Sequence, residues 1–350
     1  MRTFLPRNGS FMGCWQEHTR NSEGVATQER KVRNVGGRTP LEGARESGRF
    51  LRESMLGSLR STVSKESLAR RVPAPLRPLL QGLYRRYRTA VEYHRYQRLL
   101  ASNRELRSRH PDPRRCFVIA NGPSVKQQDL TLLRDETTIV VNSFHFHPDY
   151  EKIRPKYHVA VDPKLVADAP NAIAWLREMQ QVGADPTFIF PVEGETLFRK
   201  YGLFKGRPVH YALLSEQTCA SGRVKVDLSR PVSGVRCVSV AAIVVALHLG
   251  FREIYLLGCD HDWLAHPTVD THFYDSNPHY PDFMSDFPYQ ALMEYQLELW
   301  REYGNLRQFA LARGSRIYNA TRGGFLDVFP RVTYEKLVEA RARDASFAKP

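Results

Sequence analysis

The feature that most constrains this chain is a repeated unit: a short apolar run, a stop on a small polar residue, then a helical period. Largely unbroken apolar or β-branched runs lie at 116–120, 137–142, 157–162, 187–192, 253–259 and 315–319. Runs that do not alternate fit strands buried on both faces of a sheet. Helical patterns fall between them at 164–182, 236–249, 286–312 and 333–343. This alternation predicts an α/β fold over 111–345, a Rossmann-like, mostly parallel sheet with flanking helices.

In such sheets ligands bind outside the carboxyl ends of the strands. The first run ends in Asn121-Gly122-Pro123-Ser124, the second in Asn142-Ser143, the third in Asp162-Pro163 and a later one in Gly258-Cys259-Asp260. One such stop is a turn signal; four at the same edge describe a cleft. An asparagine amide both donates and accepts, so it reads a sugar hydroxyl or a base edge without adding charge. Gly122 admits close backbone approach, Pro123 stiffens the turn and Ser124 suits a helix cap. Further along, Ser233-Gly234 precedes an apolar helix whose N-terminus suits an anion, with Arg230 upstream as a charged fork. The stretch from about 260 to 288, dense in His, Tyr and Asp, has the length and polarity of a lid.

Charge separates the chain into two parts. The net charge is +14, yet residues 1–115 hold 25 Lys/Arg against 10 Asp/Glu, whereas 116–350 hold 26 against 27. A nucleic-acid enzyme carries positive charge around its site, so the neutral catalytic part argues against nucleic acid as a partner. Residues 1–64 lack sustained periodicity and read as a disordered basic segment; Met55 is a second candidate start. Residues 65–110 read as a basic amphipathic helical arm packed on the domain or against a partner, with attachment to an anionic membrane surface as the sharper alternative. Five cysteines without a C-x-x-C pair argue against zinc or a disulfide framework. With neither a spanning segment nor a signal-peptide core in the sequence, the expected location is cytoplasmic, with peripheral contact at the inner membrane surface as the sharper alternative.

Taken in order, Asn121-Gly122-Pro123-Ser124, Asn142, Ser233-Gly234 and "GFREIYLLGCD" resemble the bacterial lipooligosaccharide sialyltransferases of glycosyltransferase family 42. They also resemble the wider group with that fold, which includes motility-associated (flagellin) glycosyltransferases and the archaeal 6-hydroxymethylpterin diphosphokinase. The resemblance covers roughly 115–330. It implies that Asn121, Gly122, Pro123, Ser124, Asn142, Ser233, Gly234 and Asp260 meet a CMP-activated nonulosonic or sialic-acid donor, with Arg230 as the upstream arginine. Tyr274 and Tyr280 would support the leaving phosphate, and the acceptor would be a surface glycan or a protein. The resemblance implies no metal, because a leaving group with one phosphate can be stabilised by hydroxyls and a helix end.

Two positions depart from the pattern: Asp162 stands where those enzymes have Asn, and Phe283 stands three residues after Tyr280, where their base falls. The base is therefore sought in His272, which opens "HFYD", or in His279. Asp162 and Asp260 would instead serve a Mg²⁺-dependent pterin-type diphosphokinase. A non-catalytic nucleotide-sugar-binding module is the third reading.

Overall fold

Seven parallel strands form one sheet, and their order explains where a ligand can sit. They are β1 (Arg115–Ile119), β2 (Thr138–Val141), β3 (Tyr157–Val159), β4 (Thr187–Pro191), β5 (Val209–Ala212), β8 (Glu253–Leu257) and β9 (Arg316–Asn319), in the spatial order β5-β4-β3-β2-β1-β8-β9. Leu214–Ser215 (β6) and Val232–Ser233 (β7) pair separately as a two-stranded parallel ribbon. The computed structural model describes residues 73, 76–215, 224–266, 272–274 and 288–339. The expected Rossmann-like α/β fold is what it shows.

The principal helices in chain order are α1 (Arg77–Ala101), α2 (Pro170–Met179), α3 (Gly194–Tyr201), α4 (Val238–Leu249) and α5 (Tyr289–Ala312). The four central strands are buried almost throughout, which is why their sequences run apolar without alternation. α4, "VSVAAIVVALHL", has no polar stripe because it packs on β1, β2 and β3 on one side and on α5 on the other. A helix apolar all round is stable only when covered all round. Gly250, at φ +92°, ends it, and the turn 250–252 leads directly into β8. α4 therefore runs antiparallel to the strands, with its N-terminus at their carboxyl edge.

β5 was not expected from the sequence; it is an edge strand of four residues, Val209-His210-Tyr211-Ala212, and too short for a pattern to declare it. The chain divides into two compact units, residues 1–91 and 92–350. In the second, Tyr93, Tyr96 and Leu100 pack against Val192 and Leu213. Buried Asn103 donates from Nδ2 to the carbonyls of Tyr211 and Leu228, each at 2.7 Å. The stretch from Glu92 to 110 is thus part of the sheet domain. The expected disordered segment 1–64 lies outside the described residues.

Candidate functional site

From β1 the chain steps outward through β2, β3, β4 and β5, then returns along α4 to place β8 on the other side of β1. Strand order thus reverses at β1, and in open α/β sheets ligands bind outside the carboxyl ends of the strands at such a switch point. Asn121-Gly122-Pro123-Ser124 follows β1 there, and Gly258-Cys259-Asp260 follows β8.

The two loops are clamped together. Asp260 accepts from the Ser124 backbone N–H at 3.2 Å and the Ser124 hydroxyl at 2.8 Å, and Gly122 N–H donates to the Gly258 carbonyl at 2.9 Å. A Cβ on Gly122 would stand 1.9 Å from Asp260 Oδ2 and 2.5 Å from the Gly258 oxygen, so only glycine fits. Gly258 adopts φ +65° and has the Ala120 carbonyl equally close to its Cβ position. Burial pushes the Asp260 carboxyl up to about 6, against the hydrogen bonds from Ser124, which favour its charged form. A buried carboxyl with a raised pKa at a crevice is a mark of a functional site.

Asn121 is 7% exposed, and its Oδ1 has no hydrogen-bond partner among the described residues. A buried amide oxygen left unpaired costs about 1–3 kcal/mol, which makes this the one polar atom of the loop that awaits a donor. The Asn121 carbonyl accepts from Phe273 N–H at 2.8 Å. That bond, with Phe273 packed edge-on against the stacked Phe144 and His147 rings, pins residues 272–274 beside the loop. The His272 and Tyr274 rings stack there, centroids 4.9 Å apart at 12°, and Tyr274 meets Phe146 edge to face. His279, Tyr280 and Phe283 lie outside the described residues, as does most of the expected lid.

Asn142 closes β2 at φ +40°, a conformation asparagine tolerates better than most residues. Its Oδ1 accepts from Val161 N–H at 3.2 Å, which fixes the orientation of the amide. His158 holds this turn, an assignment sequence reasoning missed. Its Nε2 lies 2.7 Å from the Asn142 carbonyl and its Nδ1 3.0 Å from the Tyr150 hydroxyl. A carbonyl can only accept, so Nε2 carries the proton and Nδ1 accepts from tyrosine. Burial lowers the His158 pKa to about 4, keeping the ring neutral. The signal was a lone histidine inside an apolar strand run.

Ser233 and Gly234 lie in and after β7, and Gly234 N–H is spent on the Ser215 carbonyl at 2.8 Å. The N-cap of α4 is Cys237, four residues after Ser233. Arg230 is a surface side chain, 62% exposed and 3.9 Å from Asp227. The arginine at the start of α4 is Arg236, bound 2.9 Å from Glu302 of α5, which is 2% exposed; its charge is already matched. Asp162 caps the following turn, accepting from Lys164 N–H at 2.9 Å, and burial raises its carboxyl. It lies three residues past β3, as Asp260 lies three past β8, and β2 and β1 stand between those two strands. No cluster of three metal-ligating side chains exists among the described residues. A separate groove lined by Thr131, Arg134, Lys152 and Arg154 opens at the amino ends of the strands, the edge away from the crevice.

No family model and no curated protein matches the chain. Among solved structures, the sialyltransferase CstII from Campylobacter jejuni, in complex with the substrate analogue CMP-3FNeuAc, is similar at 14% identity. The likeness covers 63% of this chain and 86% of that one, with a TM-score of 0.37. A likeness of that size carries no weight for function.

Proposed function

We propose that this chain is a glycosyltransferase that moves a sugar from a nucleotide donor, of the CMP-activated nonulosonic or sialic-acid type, to a surface glycan or protein. The observation that carries the reading is the unpaired, buried Oδ1 of Asn121 at the β1–β8 crevice, with the Asn142 amide beside it at the end of β2. Together they offer one acceptor and one donor pair in a partly dry setting, the equipment for reading an exocyclic amine or a sugar hydroxyl. His272, stacked on Tyr274, is the side chain in this group suited to take the acceptor hydroxyl's proton as it attacks. Tyr274 supplies a hydroxyl for the leaving phosphate. The resemblance of the loop residues to family 42 sialyltransferases supports the same reading. The separation of Asp162 from Asp260 disfavours the diphosphokinase alternative.

The test is calorimetric titration of CMP, CDP, UDP and ATP into wild type and Asn121→Ala. CMP is expected to bind wild type, and the variant to lose about 1–3 kcal/mol of affinity while melting at the same temperature or higher, because an unsatisfied buried oxygen has been removed. Equal CMP affinity in both proteins would move the donor site away from β1.

A further inference from the structure

Before the sheet domain begins, the chain presents an apolar stripe with cationic borders. Leu76, Leu79, Leu80, Leu83, Tyr84, Tyr87 and Val91 are each between 46% and 67% exposed. At 3.6 residues per turn they fall within an arc of about 140°. Arg86 borders that arc on one side and Arg88 on the other, with Arg85 behind, and all three are exposed. Residues 76–91 contain no acidic side chain.

We infer that this half of α1 lies on an anionic lipid surface, apolar stripe down and arginines among the head groups. Charge is what selects the occupant. Residues 1–115 carry a surplus of 15 positive charges, whereas the rest of the chain is one charge short of neutral, so the cationic field is concentrated on the arm. Arginines at both borders of a broad apolar arc can extend to phosphates while their stems cover the stripe. No described helix is long and apolar enough to cross a membrane, so the mode is surface contact. This inference does not depend on the reaction proposed above.

The experiment is flotation of the full-length protein with vesicles of phosphatidylglycerol and phosphatidylcholine, or of phosphatidylcholine alone, with gel filtration of the lipid-free protein in parallel. Binding is expected on the anionic vesicles and should weaken with salt. Replacing Arg85, Arg86 and Arg88 together by Gln should lower the partition about 100-fold, at about fivefold per charge. Leu83→Glu with Tyr87→Glu should abolish it; these side chains are exposed, and an unchanged circular dichroism spectrum verifies that the fold is kept. Equal binding to both vesicle types, or failure to float with either, overturns the inference. So does a lipid-free dimer that the Leu83→Glu/Tyr87→Glu protein loses, since the stripe would then belong to a second copy.

Discussion

On the proposed reading two carboxamides and one carboxyl equip the carboxyl edge of the sheet: Val161 N–H holds Asn142 and Ser124 holds Asp260, while the Asn121 side-chain oxygen has no partner among the described residues. The Ser124–Asp260 clamp joins residues 136 positions apart. Its cost is visible in Asp260, whose pKa stands near 6 rather than 3.8 because the carboxylate is buried. Between those values the folded protein keeps a proton that the unfolded chain has released, so this group's contribution to stability falls as pH rises through the window. The interval corresponds to about 3 kcal/mol at neutral pH. Asp260→Asn can still accept from Ser124 N–H, donates its amide to the Ser124 hydroxyl instead of accepting from it, and removes the charge. Its melting temperature is expected to exceed that of wild type at pH 7 and to converge with it towards pH 4. A constant difference across that range would show that Asp260 is not titrating there.

At the scale of elements, the turn after β1 is built by exclusion: the chain passes so near Asp260 and the Gly258 carbonyl that a methyl group cannot enter. Gly122→Ala must push the β1 and β8 loops apart, which breaks the Ser124–Asp260 pair and the seat of Asn121 together. A loss of about 2–4 kcal/mol in denaturant unfolding is expected, with nucleotide affinity lost alongside. The segment 272–274 is the counterpart on the other wall, fixed by Phe273 rather than by its own secondary structure. On the transferase reading, His272→Ala leaves this anchor intact and should lower kcat by about 10²–10⁴ with donor affinity kept. A loss below tenfold would assign the base elsewhere.

Across the whole sheet, strand order separates the acidic residues that a metal would need together. Asp162 follows β3 and Asp260 follows β8, and β2 and β1 stand between those strands. CMP affinity is therefore expected to be the same in EDTA as in Mg²⁺, and Asp162→Asn to change it little. If only ATP with Mg²⁺ stabilised the protein, and Asp162→Asn removed that effect, the diphosphokinase reading would replace the transferase one.

The sequence by itself determined the sheet and the edge that carries the site. Five of its strands, β1, β2, β3, β4 and β8, are apolar runs whose burial on two faces leaves no alternation, and small polar residues follow four of the runs. Helix α4 was equally legible, since twelve residues with no polar stripe can only be an interior helix. What the tertiary structure decided depends on partners distant in sequence. His158 is a neutral support because β2 delivers the Asn142 carbonyl to it. Arg236, and not Arg230, stands at the helix end, already matched by a glutamate 66 positions away. The short edge strand β5 exists because β4 offers it a partner. Asn121 differs from any other asparagine after a strand because strand order buries its oxygen and brings it no donor. Local patterns record burial, since hydrophobicity is carried by each residue alone; pairing belongs to two residues at once, and only the fold brings them together.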